Sequence, residues 1–202
     1  KIFIICKKEK NNTKSANFKK TNIIKIIYSK DTTNQINSIL KVTKFIKNKD
    51  KIIILNPDSL FDVEAKDFNN SLDGIIFNIN KDDLGRNFAN KDTLYLDKNN
   101  KIIQIKKKTK DLKEKIVSAG LYCFKNLSLL IDGCLKVKNI NKRNLQVADI
   151  FLELIKNHNI GTKSVSKFVC FEDKSKIDEY KFWKKYFSVN YKFRDSLNTY
   201  DI

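Results

Sequence analysis

Asp58 has the clearest chemical prospect in the chain. It lies in residues 51–62, KIIILNPDSLFD, where the aliphatic run 52–55 meets Asn56-Pro57-Asp58-Ser59. The run is too short for a helix and rich in β-branched side chains, so it predicts a buried strand. Pro57 has no N–H for a ladder, so pairing should stop there and leave the Asp58 carboxylate just past the strand's end. Open α/β sheets bind ligands outside the carboxyl ends of their strands. A carboxylate at that edge suits a divalent cation carrying a nucleotide. It suits an ordinary Pro-Asp-Ser turn equally well.

Gly120 is the second such residue. It interrupts the apolar run 116–124, IVSAGLYCF, and a glycine inside a strand marks a bulge or a close approach by a ligand. Cys6, Cys123, Cys134 and Cys170 are scattered without a C-x-x-C pair, and His158 is the sole histidine. A zinc site is therefore not expected, and buried, reduced thiols in a cytosolic protein are.

The chain has 202 residues, is 41% hydrophobic and carries a net charge of +18, which fits one sizeable globular domain. The positive charge is almost all lysine, spread along the chain, with arginine only at 86, 143 and 194. Sequence-reading nucleic-acid sites favour arginine forks, so a specific nucleic-acid partner is not expected. The charge can still draw in phosphorylated substrates. No apolar run approaches a membrane span, and no membrane partner is expected. The chain has no methionine and opens directly on a strand-like run, like a piece whose natural N-terminus is absent.

The elements that must position Asp58 and Gly120 follow from the pattern of apolar residues. Strands are expected at 2–6, 23–28, 52–55, 73–80, 116–124 and 165–171, with a hairpin of 92–96 and 101–105. Helices are expected at 38–46, capped by Asn37 or Ser38, and at 63–70, 127–135, 147–157 and 177–187. Strands alternating with helices indicate one α/β domain over 1–187, with a tail of unclear structure at 188–202.

In that order, the segments resemble the sugar-phosphate nucleotidyltransferase family, of the glucose-1-phosphate thymidylyltransferase and phosphocholine cytidylyltransferase kind. The resemblance spans about residues 2–187. Thr32-Thr33-Asn34-Gln35-Ile36-Asn37-Ser38 is similar to the family's loop that reads the nucleobase, with Asn34 where a glycine is usual. Leu55-Asn56-Pro57-Asp58 resembles the strand-end motif whose aspartate binds magnesium. Gln104-Ile105-Lys106-Lys107-Lys108-Thr109 resembles the segment whose lysine contacts the sugar phosphate, which points to Lys108; a solvated charged turn reads equally well. The run around Gly120 resembles the strand on which the sugar ring rests. Asn144-Leu145-Gln146 resembles a sugar-binding helix start, with Gln146 (or Leu145) in place of glutamate. Asp173, seven residues before Tyr180, resembles the second metal aspartate.

The resemblance implies a three-layer α/β/α fold with a mixed, mostly parallel sheet, nucleotide-diphospho-sugar transferase-like and N-terminally truncated. It implies Mg²⁺ on Asp58 and Asp173. Asp58 and Lys108 would be catalytic, Thr33, Asn34 and Gln35 would bind nucleotide, and Gly120 and Gln146 would bind sugar. The implied partners are a nucleoside triphosphate and a sugar phosphate in cytoplasmic nucleotide-sugar and surface-polysaccharide biosynthesis; a homo-oligomer stays open. The family's glycine-rich triphosphate loop has no counterpart here, because Gly74, Gly85, Gly120, Gly133 and Gly161 are isolated. The alternative is a truncated or degenerate, non-catalytic member that at most binds a nucleotide sugar.

Overall fold

The computed structural model describes residues 2–7, 24–29, 34–56, 58–68, 71–79, 91–107, 116–140, 144–171 and 174–197; in 2–7, 24–29 and 187–197 it describes the backbone. The first half of the chain forms β1 (Ile2–Lys7), β2 (Ile24–Ser29), α1 (Gln35–Thr43), β3 (Ile52–Leu55), β4 (Ser59–Asp62), a 3₁₀ turn (Ala65–Phe68) and β5 (Gly74–Ile79). The second half forms β6 (Thr93–Leu96), β7 (Ile102–Lys106), β8 (Ile116–Phe124), α2 (Leu127–Lys138), α3 (Val147–Leu154), β9 (Ile160–Cys170) and α4 (Lys174–Leu197). β1 and β2 pair in parallel as a two-stranded sheet. The other seven strands form one sheet in the order β4-β9-β5-β8-β6-β7, with β3 also on β8.

The expected mixed sheet is present, but its ladders are less parallel than expected. β3, β5, β6 and β9 run one way and β4, β7 and β8 the other. β8 lies against β3, β5 and β6, so it turns all three of those ladders antiparallel. β5 and β9 are parallel neighbours.

β5 and β8 are buried on both faces, as their unbroken apolar runs require. On one face Ile76, Tyr122 and Phe124 meet Ile36 of α1, Leu130 and Cys134 of α2, and Ile150, Phe151 and Leu154 of α3. Phe124 and Phe151 have ring centroids 4.6 Å apart, and burying each such ring contributes roughly 1.5–3 kcal/mol. On the other face Ile75, Phe77, Leu121 and Val165 are closed over by Phe61, Val63, Phe68 and Leu72. Here the expected helix at 63–70 is only one 3₁₀ turn. The Asp67 carboxylate accepts the Glu64 N–H at 2.9 Å, and the Asp67 N–H returns a bond to the Glu64 carbonyl, which closes the turn at once. Of the three expected layers, α1, α2 and α3 supply one helical layer, and this short segment covers the opposite face.

Three further expectations are corrected. β3 is buried on one face only: Ile52 is 8% exposed, but Ile53 is 49% and Leu55 53% exposed. Its described ladder lies on one edge, and Ile53 and Leu55 point to the face that the helices leave open. α1 begins earlier than expected and is capped by Asn34, not by Asn37 or Ser38. β4 was not foreseen, because four residues beyond Pro57 are too few to show a period. At the C-terminal end, α4 runs through position 187 to Leu197.

Candidate active site

β8 carries the candidate site. Its residues 122–124 pair with β5 on one edge and β3 on the other, and its residue 117 with β5 and β6. β3 and β6 therefore share an edge of β8 and part around residues 118–120. On one side of the parting the Asn56 N–H donates to the Gly120 carbonyl at 3.0 Å. On the other side the Ser118 N–H donates to the Asp92 carbonyl at 2.9 Å. Asp58 follows two residues after Asn56, in the turn between β3 and β4. Turn and strand-end carboxylate are thus the same feature.

Gly120 is required where it stands. Its φ is +75°, a left-handed conformation that costs other residues energy. A Cβ there would also meet Asn56 Nδ2 at 2.9 Å. The β5–β8 register slips by two residues between the pairs Ile76–Tyr122 and Asn78–Ser118, so the glycine sits in a bulge. The close neighbour of its backbone is the Asn56 carboxamide.

A second group of expected residues gathers at the start of α3. Gln35 Oε1 accepts the Val147 N–H at 3.1 Å, and the Gln35 N–H donates to the Leu145 carbonyl at 3.2 Å. These bonds fasten the N-terminus of α1 to that of α3. Asn34 has extended backbone (φ −129°, ψ 116°), and its Oδ1 accepts the Ile36 N–H at 2.9 Å. It does not adopt the left-handed geometry that asparagine would tolerate. Gln146 is the cap residue of α3, and its N–H donates to Asp149 Oδ2 at 2.8 Å. The same oxygen accepts Lys107 Nζ at 2.5 Å. Asp149 is 4% exposed and Lys107 30%, so the pair pins the end of β7 onto α3.

Tyr122 joins the two groups. It stacks on Phe151 at 5.6 Å, with a hydrogen bond to Ser118. Burial chiefly, then the charges of Asp92, Asp149 and Asp58, drive its phenol far above the ordinary value, against the Ser118 bond. The phenol thus senses carboxylates from both groups. Beside it in the sheet, Asn78 is satisfied by Thr162 and Ser164, each at 2.8 Å.

Asp92, Lys107, Tyr122 and Asp149 were not singled out from the sequence. Only the Gln146-x-x-Asp149 spacing carried a signal, since a carboxylate three residues after a cap can accept the cap's N–H. Thr33, Lys108 and Asp173 lie outside the described residues. Among the described residues no group of three or more His, Cys, Asp or Glu could hold a metal. Asp58 itself fits a cation ligand. Its side chain is half-buried, accepts the Ser59 hydroxyl at 3.2 Å, and has its own carbonyl fixed by the Phe171 N–H at 2.7 Å.

A pocket of about 290 Å³ opens at the far end of β8, lined by Asp73, Lys125, Asn126, Ser128 and His158 among others; none of the expected site residues lines it. Burial raises the Asp73 carboxyl. The Asn159 N–H and the Lys125 ammonium, with a lesser contribution from His158, outweigh that and hold it below the ordinary value.

The fold is that of solved sugar nucleotidyltransferase structures. The nucleoside-diphosphate-sugar pyrophosphorylase from Vibrio cholerae RC9 superposes with a TM-score of 0.63 at 16% identity, over 78% of this chain and 68% of that one. The inositol-1-phosphate CTP transferase from T. maritima gives 0.59 at 10% identity, over 76% and 62%. By sequence, the profile of the nucleotidyl transferase family matches residues 1–183, and the chain belongs to that family. A curated relative, the bifunctional protein GlmU of Methanococcus aeolicus, is 27% identical over 159 residues, or 79% of this chain. The chain spans 37% of that relative's length.

Proposed function

We propose that the complete protein moves a nucleoside monophosphate from a nucleoside triphosphate to a sugar 1-phosphate or similar phosphomonoester, releasing pyrophosphate. One observation carries this reading. The Phe171 N–H is bonded to the Asp58 carbonyl, so the end of β9 lies against the strand-end aspartate, two positions before Asp173 in the sequence. Asp58 and Asp173 would hold Mg²⁺, which would supply neutralisation of phosphate charge.

An acceptor phosphate oxygen would attack the α-phosphorus as the bond to pyrophosphate breaks. Such transfer depends on positioning and charge neutralisation more than on acid–base groups. Lys108 would face the acceptor phosphate. It follows Lys107, whose ammonium Asp149 holds at α3. Gly120 and Gln146 would border the sugar. Thr33, Asn34 and Gln35 would lie toward the base, with Gln35 keeping an exposed side chain. A role in cytoplasmic nucleotide-sugar supply for surface polysaccharides is part of the same proposal.

A second reading has its own support. The Asn56 carboxamide occupies the space over Gly120 where a sugar would approach the backbone. A degenerate member that binds a nucleotide sugar without turnover would tolerate this.

Thermal shift with nucleoside triphosphates and nucleotide sugars, with and without Mg²⁺, separates the two, because a ligand of the folded state raises the melting temperature. The transfer reading expects Mg²⁺-dependent stabilisation by a triphosphate, with pyrophosphate release on adding a sugar phosphate. Stabilisation by nucleotide sugars alone, without pyrophosphate release, supports the second reading.

A further inference from the structure

The parting between β3 and β6 presents a polar side chain with no assigned task, Asn56. Its Nδ2, Cγ and Cβ are the three atoms nearest to where a Cβ on residue 120 would lie, at 2.9, 3.3 and 3.4 Å. The carboxamide therefore lies against the bare Cα of Gly120. The Asn56 N–H is engaged by the Gly120 carbonyl, but the half-buried carboxamide has no hydrogen-bond partner among the described residues. Gly120 itself offers little to a ligand. Its N–H donates to Ser118 Oγ at 3.2 Å, and the Ser118 side chain is also bonded to the Tyr122 phenol. A ligand that reaches this bulge meets an amide side chain instead of an open main-chain donor.

We propose that the Asn56 carboxamide is a specificity-determining contact that selects a hydroxyl-bearing acceptor, a sugar or polyol phosphate, at this site. The inference rests on the reading of the site given under the proposed function and names the group that recognises the acceptor. A carboxamide carries two N–H donors and an oxygen acceptor, and a hydroxyl both donates and accepts. Two neighbouring hydroxyls can therefore pair with both sides of the amide at once. The amide is neutral, so it reads hydroxyls without drawing the phosphate away from the candidate metal aspartate two residues on. A ligand without hydroxyls would cover the amide and leave it unpaired, which weakens binding. Two alternatives fit less well. A quaternary ammonium group is held by open aromatic faces. Tyr122, the ring at this parting, is 5% exposed and stacked on Phe151. Simple obstruction of the bulge would need bulk alone, and it makes the opposite prediction for a smaller side chain.

The test is titration calorimetry on the whole protein with Mg²⁺. The probes are UDP-glucose, dTDP-glucose, GDP-mannose and CDP-glucose, each beside its own nucleoside diphosphate, with CDP-choline as the probe whose acceptor group has no free hydroxyl. The parent should bind at least one nucleotide sugar about tenfold more tightly than the matching diphosphate, and CDP-choline no more tightly than CDP. Asn56→Leu keeps the bulk and removes the hydrogen-bonding groups. It should erase the sugar margin and leave diphosphate affinity unchanged, and Asn56→Ala should do the same. A parent without a sugar margin overturns the proposal, as does a margin that survives in Asn56→Leu. A gain in nucleotide-sugar affinity in Asn56→Ala overturns it in favour of obstruction, and an equal loss of diphosphate affinity overturns it in favour of a structural role. The margin is read without turnover. Absence of pyrophosphate release beside an Asn56-dependent margin therefore rejects the transfer reading while supporting this contact.

Discussion

Asn56 and Gly120 are locked together: the Asn56 N–H donates to the Gly120 carbonyl at 3.0 Å, and Asn56 Nδ2 stands 2.9 Å from where a Cβ on residue 120 would lie. The residue two places before the candidate metal aspartate thus fixes the bulge of the candidate sugar strand. Gly120→Ala must strain a φ of +75° and displace the Asn56 carboxamide. It should cost roughly 1–3 kcal/mol, read as a lower urea midpoint. Asn56→Ala in the same background should recover part of the loss, because the clash is with that side chain. Full recovery would mean that backbone strain contributes nothing.

Asp58→Ala should leave the melting temperature of the unliganded protein near that of the parent, since the carboxylate is half-buried and accepts a hydroxyl of the next residue. It should abolish Mg²⁺-dependent stabilisation by a triphosphate. Unchanged activity in this variant would refute the metal assignment.

Asp149 serves two partners through one oxygen, so its loss should be felt twice. Asp149→Ala removes the carboxylate at the start of α3 and the anchor of Lys107, and should cost about 2–4 kcal/mol. Lys107→Ala should cost less, because the Gln146 N–H still reaches the carboxylate. Chemical denaturation of both variants checks the order; a larger loss for Lys107→Ala would contradict it.

Asp73 gives a pH signature. Its folded pKa lies below its ordinary value of 3.8, so the stability it contributes is present above that value and is lost as pH falls through the folded pKa. Asp73→Asn should therefore melt below the parent at about pH 6, with the gap narrowing toward about pH 2. Melting curves across this range test it. A gap that widens on acidification would reverse the sign.

The thiols should separate by environment. Burial pushes Cys134 up to about 12 and also raises Cys123, where the Lys51 charge opposes it weakly. Cys170 is partly exposed, with Lys91 Nζ 3.3 Å from its sulfur. Exposure to the reagent decides the order, since a buried thiol is inert. Of these three, Cys170 should react first with a disulfide reagent in the native protein, and Cys123 and Cys134 only on unfolding. Peptide mapping after brief labelling gives the order.

What the sequence disclosed was local. The run 116–124 declared β8 through its unbroken apolar character, and its glycine declared the bulge. The turn 97–100 declared the β6–β7 hairpin, and the 127–135 pattern declared α2. Asp58 could be placed at a strand end because Pro57 closes the aliphatic run. What stayed hidden was tertiary. Lys107 and Asp149 meet across 42 residues and Gln35 and Val147 across 112, and no spacing rule connects them. The Asn34 cap was obscured by Asn37 and Ser38, equally good caps downstream. The reversal of β8 against its neighbours depends on how the sheet is wound, which a list of elements does not carry.

The winding also sets a schedule. β5, buried along its whole length, pairs with β8 and with β9, and the Thr162 hydroxyl reaches the Ile76 carbonyl across 86 residues. The middle of the sheet therefore cannot close until most of the chain has left the ribosome. Ladders of such long sequence separation form slowly. During that wait the apolar run 74–79 is exposed to chaperones and to other nascent chains. Once β9 has slotted in, the same amides should be among the last to exchange with solvent.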